Sequence, residues 1–300
     1  MADARVTAEP AGGPASAGNP VPGPASGGHM AACGTRRTGS GTPGLAERLR
    51  ERHGEVYVLL GPPRTASTAV SRILWNHPAV GWYAHEPFEP TWYEGAPVAR
   101  AEALLEAPSP VAELGGRGAG EALVVKEMTF QVGDAFPLLA GLATQPLVVL
   151  IRDPRLTIAS RMKVLRRSGR PEVFPLRESG WEDLARQLTY LRREGIPHVI
   201  VDSSDLRHAP ERMAPALLET LGLPFTPDLL SWRASAATGL SAVSGAEDPF
   251  YQRVLDSQGI EPPAERTPEL DEFPEPLRAH VAECVAQYEE LCRSGSEYRP

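Results

Sequence analysis

The feature of this sequence that most constrains the fold is an apolar run that stops at a glycine turn and continues as a helix. Residues 56–60 (Val-Tyr-Val-Leu-Leu) have the pattern of a buried strand, Gly-Pro-Pro follows, and a helix is predicted from Ser67 to Asn76. Further strand-like runs alternate with helical segments, at residues 122–126, 147–152 and 198–202. Repeated strand–helix units predict a three-layer α/β/α fold of the P-loop type with a central parallel sheet.

The composition divides the chain into two parts. Residues 1–43 are mostly Ala, Gly, Pro and Ser without apolar periodicity, which predicts a disordered tail. Residues 44–300 have a length suited to a single α/β domain.

Charge and cysteine usage narrow the function classes. The net charge of -8 argues against a nucleic-acid-binding face, and no apolar run is long enough for a membrane segment. The cysteines, Cys33, Cys284 and Cys292, show no paired metal spacing and no disulfide framework, so we expect no metal site and a cytoplasmic location. The sequence leaves a homo-oligomer open.

Residues 61–68 have the placement of a phosphate loop, because a turn between a strand and a helix presents backbone N–H groups and the positive end of the helix dipole to an anion. The segment keeps Gly61 and Thr68 of the NTPase pattern GxxxxGK[ST], with Ala66 and Ser67 in place of the second glycine and the lysine. Arg64 offers a planar guanidinium for a terminal phosphate, which favours a nucleotide other than ATP. The alternative is an ordinary turn in which the Ser-Thr pair caps the helix.

A second phosphate clamp is predicted in residues 147–160. Arg152 ends a buried strand and Ser160 lies eight residues later on the following helix, so both can address one phosphate. Ligands of doubly wound sheets bind at the carboxyl ends of the strands, where these residues would stand beside the first loop. The alternative is that Arg152 merely pairs with Asp153.

With both elements in view, the chain resembles the sulfotransferase superfamily. PPRTASTAV looks like the 5′-phosphosulfate loop of that family, in the arginine-bearing version of carbohydrate and tyrosylprotein sulfotransferases. RDPRLTIAS looks like its 3′-phosphate motif, with the same Arg-to-Ser spacing. The resemblance implies 3′-phosphoadenosine 5′-phosphosulfate (PAPS) as the donor and sulfuryl transfer to a hydroxyl or amine of a small-molecule acceptor.

The resemblance also implies roles for matched residues. The 5′-phosphosulfate would be held by the loop, and the 3′-phosphate by Arg152 and Ser160. The loop residues concerned are Arg64, Thr65, Ala66, Ser67 and Thr68. Ala66 stands where the family usually has glycine, which we expect to be tolerated because alanine adopts helical φ and ψ. No RKG-type element follows near the C-terminus, so a third contact to the 3′-phosphate is unassigned.

Glu86 is the predicted catalytic base, since it matches the glutamate after the loop helix in tyrosylprotein-type relatives. Met128 occupies the position at which the cytosolic small-molecule type has its histidine, and methionine cannot accept a proton. His85 and Glu89 are the competing bases. Lys126, retained at a strand end, is expected to neutralise charge on the bridging oxygen, the alternative being an exposed strand-end lysine. Burial would raise the pKa of Glu86 and nearby cations would lower it, a balance that the sequence leaves open.

Aromatic residues are concentrated next to the predicted base. Trp82, Tyr83, Phe88 and Trp92 are predicted to form a pocket for a small hydroxylated acceptor with an apolar or sugar-like body. Packing in the core beneath a loop is an equally good interpretation, because aromatic clusters are usually core.

Two rival functions are compatible with a phosphate loop on this fold. A P-loop kinase or other phosphotransferase would use Asp153 as a carboxylate for Mg²⁺, but Ser67 replaces the lysine that such enzymes need. A noncatalytic nucleotide-binding protein on the same fold is the other rival, because a fold alone does not establish activity.

Overall fold

A six-stranded sheet lies at the centre of the computed structural model, which describes residues 43–235, 240–243 and 248–294. The strands are β1 (Val56–Gly61), β2 (Val80–His85), β3 (Ser109–Pro110), β4 (Ala122–Met128), β5 (Leu147–Ile151) and β6 (His198–Asp202). Their spatial order is β3-β2-β4-β1-β5-β6, and only the short β3 pairs antiparallel. The predicted parallel sheet is confirmed.

Helices cover both faces of this sheet. The α-helices are α1 (Leu45–His53), α2 (Ser67–Trp75), α3 (Glu89–Tyr93), α4 (Val98–Glu106), α5 (Thr129–Val132), α6 (Phe136–Ala140), α7 (Pro154–Arg167), α8 (Trp181–Glu194), α9 (Ser203–His208), α10 (Pro210–Thr220), α11 (Gln252–Asp256) and α12 (Glu275–Ser294). Short 3₁₀ helices occupy Val111–Leu114, Gly133–Ala135, Leu176–Ser179, Pro227–Leu230, Asp248–Phe250 and Leu270–Glu272.

Alternation along the strands produces two cores. In β1, Val58 and Leu60 pack in a core with residues of α1, α8 and α12, whereas Tyr57 and Leu59 pack in a second core with residues of α2 and α10. Both faces of the sheet are therefore covered, as parallel sheets require. The predicted three-layer α/β/α arrangement is confirmed.

The structure differs from the sequence-based expectation mainly in short elements. The helix predicted over residues 134–143 is a 3₁₀ turn followed by α6, because Pro137 falls at the start of a new helix. The helix predicted over residues 248–257 is likewise split into a 3₁₀ turn and α11. The helices α3, α5 and α9 have four to six residues, too few to show apolar periodicity.

The sequence also predicts a disordered N-terminal tail and no membrane segment. The predicted tail, residues 1–43, lies outside the described residues except for Pro43. Within the described part of the chain, no helix combines the length and apolarity needed to cross a bilayer.

The turn between β1 and α2 is tightly constrained. A Cβ on Gly61 would lie 2.6 Å from the carbonyl oxygen of Leu150, so β1 approaches β5 this closely only with glycine there. Arg64 and Ala66 have φ of 68° and 57°, in the left-handed region. The expectation that Ala66 would adopt helical φ and ψ is therefore wrong: it precedes α2 with ψ of 22°, a conformation that favours glycine.

This backbone predicts that Ala66→Gly stabilises the protein. The left-handed conformation destabilises a non-glycine residue by roughly 1–2 kcal/mol. Replacement by glycine removes this strain, but the greater freedom of glycine in the unfolded chain cancels part of the gain in stability. We expect the free energy of unfolding, measured by urea denaturation, to rise by about 0.5–1 kcal/mol. Ala69→Gly, three residues later inside α2, is the matched control and should lower it by about 1 kcal/mol. If both variants are less stable than the wild type, the prediction that the backbone of Ala66 is strained is wrong.

Candidate nucleotide-binding and active site

A cavity lies at the carboxyl ends of β4, β1 and β5. Its walls are the turn and first residues of α2, the end of β4, Arg152 after β5, the middle of α7, Arg207 on α9 and a later segment within residues 250–265. The sequence-predicted residues that line this cavity are Arg64, Ala66, Ser67, Thr68, Lys126, Arg152 and Ser160. Both predicted phosphate-binding elements thus meet in one place.

Direct contacts join the two elements. Nε of Arg64 donates a hydrogen bond to Oγ of Ser160 at 3.1 Å, and Nη1 of Arg152 donates to the carbonyl oxygen of Arg64 at 3.4 Å. The hydroxyl of Thr65 is buried and donates to the carbonyl oxygen of Pro62 at 2.9 Å, which closes the turn. Thr65 can therefore face a ligand only through its backbone.

The N–H groups at the amino-terminal end of α2 are free to bind an anion. No side chain forms a capping hydrogen bond there, in contrast to the alternative in which the Ser-Thr pair caps the helix. The first N–H groups of a helix have no partner within the helix, and they carry the positive end of its dipole. With Ser67 and Thr68 lining the same cavity, this turn has the donors that a phosphate or sulfate group requires.

The cavity is cationic although the chain as a whole is acidic. Its lining holds five basic side chains and two acidic ones: Arg64, Lys126, Arg152, Arg207 and Arg253 against Glu261 and Glu265. Burial, together with the charges of Arg152 and Arg161, lowers the pKa of Arg64 to about 10, so its guanidinium is still charged at neutral pH. This excess of positive charge suits a polyanionic ligand.

Arg152 does not pair with Asp153, the alternative considered from the sequence. The Asp153 carboxylate instead accepts from Nη2 of Arg155 at 2.7 Å and from the backbone N–H of Arg155 at 2.9 Å, capping α7. Arg152 is buried and donates from Nη2 to Glu265 at 3.2 Å. Its Nε has no hydrogen-bond partner among the described residues, so a donor remains for a ligand.

Several cavity residues escaped the sequence analysis. Arg207 lies on α9, the helix that starts directly after β6, five residues beyond the end of that strand, so a search of the helix after β6 for basic residues was the signal that could have found it. Arg253, Tyr251 and Phe250 come from a segment far along the chain. That segment carries no strand signal, and only the folded chain brings it to the sheet edge.

Glu86 lies at the centre of a fully buried polar network beside the cavity. Its carboxylate forms an ion pair with Nζ of Lys126, and accepts from Nε2 of Gln131 at 2.9 Å and from the hydroxyl of Tyr251 at 2.8 Å. Its backbone φ is 44°, a strained left-handed conformation. Burial opposes ionisation, but the charge of Lys126 and the hydrogen bonds from Lys126 and Gln131 outweigh it and lower the pKa of Glu86. The carboxylate is therefore ionised.

Lys126 and Tyr251 connect Glu86 to the cavity, because both side chains line it. The Lys126 ammonium is buried, not the exposed strand-end group of the alternative, and lies 5.9 Å from the centre of the Tyr251 ring. Glu86 itself is covered by these two residues. An acceptor bound in the cavity would thus meet Lys126 and Tyr251 before Glu86.

The two competing bases have different environments. Burial lowers the pKa of His85 to about 3, and its Nδ1 lies 2.7 Å from the Tyr83 hydroxyl. His85 is therefore neutral at physiological pH. Burial and the neighbouring charge of Glu86 raise the pKa of Glu89 to about 7. The Glu89 carboxylate accepts from Ser241 Oγ at 2.9 Å and from the Ala242 N–H at 2.8 Å.

The predicted aromatic acceptor pocket is not brought together. Tyr83 and Phe88 are fully buried, in the cores on opposite faces of the sheet. Trp82 packs against the same core as Phe88, and Trp92 contacts the edge of Phe130 with ring centres 5.2 Å apart. None of the four lines the cavity, whose aromatic side chains are Phe250 and Tyr251. The core interpretation describes this cluster better.

Comparisons with known proteins bear on the fold. The chain matches no protein-family model, and no curated protein matches it. Among solved structures it is similar to a sulfotransferase domain from the curacin biosynthetic pathway, with 17% identity over 78% of this chain and 97% of that chain and a TM-score of 0.50. A sulfotransferase domain from the Synechococcus PCC 7002 olefin synthase also matches, with 17% identity over 78% of this chain and 94% of that one and a TM-score of 0.46. At this identity the likeness concerns the fold: the chain has the α/β fold of a sulfotransferase domain.

Proposed function

We propose that the chain is a sulfotransferase that moves a sulfuryl group from PAPS to a hydroxyl or amine of a small-molecule acceptor. The observation that carries the proposal is the meeting of two separate anion-binding groups in one cavity, joined by the hydrogen bond from Arg64 to Ser160. A nucleotide with a 5′-phosphosulfate and a 3′-phosphate has two anionic ends. One cationic group for each end is what such a ligand needs.

The donor set divides between these ends. Arg64, Ser67, Thr68 and the N–H groups at the start of α2 would hold the 5′-phosphosulfate. Arg152 would hold the 3′-phosphate with Ser160, and the free Nε of Arg152 supports this fit. Arg207 and Arg253 line the same part of the cavity and supply the further contacts that the sequence left unassigned.

The chemistry of the transfer assigns roles to the Glu86 network. The acceptor oxygen bonds to sulfur, the bond from sulfur to the phosphate-bridging oxygen breaks, and the acceptor proton passes to a base. Lys126 would neutralise charge on the bridging oxygen, since it lines the cavity. Glu86 is the proposed base: it is ionised, and the Tyr251 hydroxyl that donates to it links it to the cavity.

The rival phosphotransferase is less well supported. Asp153, the carboxylate that would hold Mg²⁺, is bonded to Arg155 through both oxygens, and Ser67 stands in place of the loop lysine. A noncatalytic nucleotide-binding protein would have the same cavity, so only a measurement of turnover distinguishes it from an enzyme.

Nucleotide binding tests the assignment of the two ends. We expect calorimetry to show adenosine 3′,5′-bisphosphate bound in preference to ATP, and both Arg64→Ala and Arg152→Ala to raise its Kd by about 10- to 100-fold, because each removes charge-assisted hydrogen bonds worth roughly 1.5–3 kcal/mol. Arg166→Ala, an exposed arginine on the same helix as Ser160, is the control and should leave Kd unchanged. Preference for ATP would exclude the sulfotransferase proposal.

Glu86→Gln tests the base. With a panel of hydroxylated aromatic and sugar acceptors and labelled PAPS, we expect kcat to fall by at least about 100-fold while the bisphosphate Kd changes little. Loss of the carboxylate leaves Lys126 unpaired and costs roughly 3–5 kcal/mol of stability, so folding is checked by circular dichroism. Glu86→Asp, which keeps the charge, should retain part of the activity. Full turnover in Glu86→Gln would assign the base to His85 or Glu89.

The pH dependence of kcat distinguishes Glu86 from Glu89. A base must be deprotonated, and the pKa of Glu86 is lowered, so with Glu86 as the base kcat should stay level from about pH 8 down to about pH 6. The pKa of Glu89 is about 7, so with Glu89 as the base kcat should decline below that pH. A decline centred near pH 7 that Glu89→Gln removes would contradict the assignment of Glu86.

A further inference from the structure

The proposed 3′-phosphate end of the cavity already holds an anion of the chain itself. The carboxylate of Glu265 lies 3.2 Å from Nη2 of Arg152, 3.2 Å from Nη1 of Arg253 and 4.0 Å from Nη1 of Arg207. Three guanidinium groups around two carboxylate oxygens are the environment expected for a bound phosphate. Glu265 therefore stands in the position that the proposed function gives to a ligand.

The charges around Glu265 keep it ionised. Although burial opposes ionisation, Arg152, Arg207 and Arg253 lower its pKa, so it carries a full negative charge at neutral pH. The side chain is 37% exposed, whereas that of Arg152 is 5% exposed. The carboxylate thus reaches the arginines from the solvent side.

The segment that carries Glu265 is weakly held. Residues 261–269 have no regular secondary structure, and none of them is buried. On one side the segment is anchored by the bridge between Ser231 and Gly259, and on the other by Phe273, which is buried in a core. Between these anchors, the segment is tied to the cavity by the Glu265 ion pairs, by the ion pair between Arg253 and Glu261 at 3.0 Å, and by the bonds from Arg207 to the carbonyl oxygens of Glu261 and Pro262.

We propose that Glu265 is an intramolecular competitor for the nucleotide's 3′-phosphate, and that a nucleotide carrying this phosphate binds by displacing the Glu265 carboxylate from Arg152, Arg207 and Arg253. This inference rests on the proposed function. A phosphate dianion has more charge and one more oxygen than a carboxylate, so it binds the three arginines more strongly than Glu265 does and replaces it. A nucleotide with a free 3′-hydroxyl has no such group and leaves Glu265 in place. After transfer, return of the carboxylate promotes release of the bisphosphate product.

The isosteric variant Glu265→Gln tests the competition. We expect the Kd for adenosine 3′,5′-bisphosphate, measured by calorimetry, to fall about 10-fold, chiefly through slower dissociation. The Kd for AMP, which has no 3′-phosphate, should change less than about 2-fold. Glu272→Gln is the matched control, because Glu272 pairs with Arg266 near the end of the same segment, outside the cavity, and it should leave both constants unchanged.

Hydrogen exchange of the wild-type chain gives a second readout. The N–H of Ala264 donates to the Glu265 carboxylate at 3.2 Å, so displacement should speed exchange there when the bisphosphate binds, but not when AMP binds. If the Kd for the bisphosphate is unchanged or higher in Glu265→Gln, the proposed competition is wrong, and Glu265 instead holds the arginines in position. If the wild type binds AMP and the bisphosphate equally, the proposed function fails and this inference with it. A wild type that prefers the bisphosphate without a gain in Glu265→Gln refutes the inference alone.

Discussion

Three neighbouring parallel strands end at one edge of the sheet, and the positions of Arg64, Lys126 and Arg152 depend on this register. Gly61 at the end of β1 is paired with Met128 of β4, and Leu60 with Val149 of β5. The chain that leaves each strand therefore enters the same space, where ligands of α/β sheets bind. Because any side chain on Gly61 would collide with the backbone of β5, this close approach is also what fixes the start of the phosphate loop.

Collecting positive charge at this edge has a cost, which the chain offsets with its own carboxylates. Glu86 compensates Lys126 inside the protein, and Glu265 compensates Arg152 at the solvent side. Arg64 belongs to neither ion pair and lies within hydrogen-bond distance of Ser160 and of the Phe250 carbonyl oxygen. The inner carboxylate is locked by buried partners, whereas the outer one belongs to an exposed segment. Only the outer one can yield to a ligand without unpacking the core.

Sequence patterns identified the long elements and those site residues that lie directly at strand ends. Arg64, Lys126 and Arg152 were found because each lies at or just beyond a buried apolar run. Tyr251 and Arg253 could not be found in this way, because no local pattern links residues so distant in the chain to the sheet edge. The acceptor pocket was misplaced for a different reason: adjacent strand residues such as Trp82 and Tyr83 point to opposite faces, so proximity in sequence separates them.

The strained backbone at Glu86 accompanies the placement of its carboxylate against Lys126, and this ion pair keeps the carboxylate ionised deep in the protein. The neighbouring strand supplies Glu127, whose two oxygens accept from the N–H groups of Phe88 at 2.8 Å and Met128 at 2.7 Å. This carboxyl group ties the turn after β2 to the end of β4, and so fixes the conformation that brings Glu86 to Lys126. Burial and the charge of Glu86 raise the pKa of Glu127 well above its ordinary value, while the charge of Lys126 lowers that of Glu86. Two adjacent carboxyl groups with pKa values pushed apart divide the work: one holds the geometry, and the other keeps the charge that a base requires.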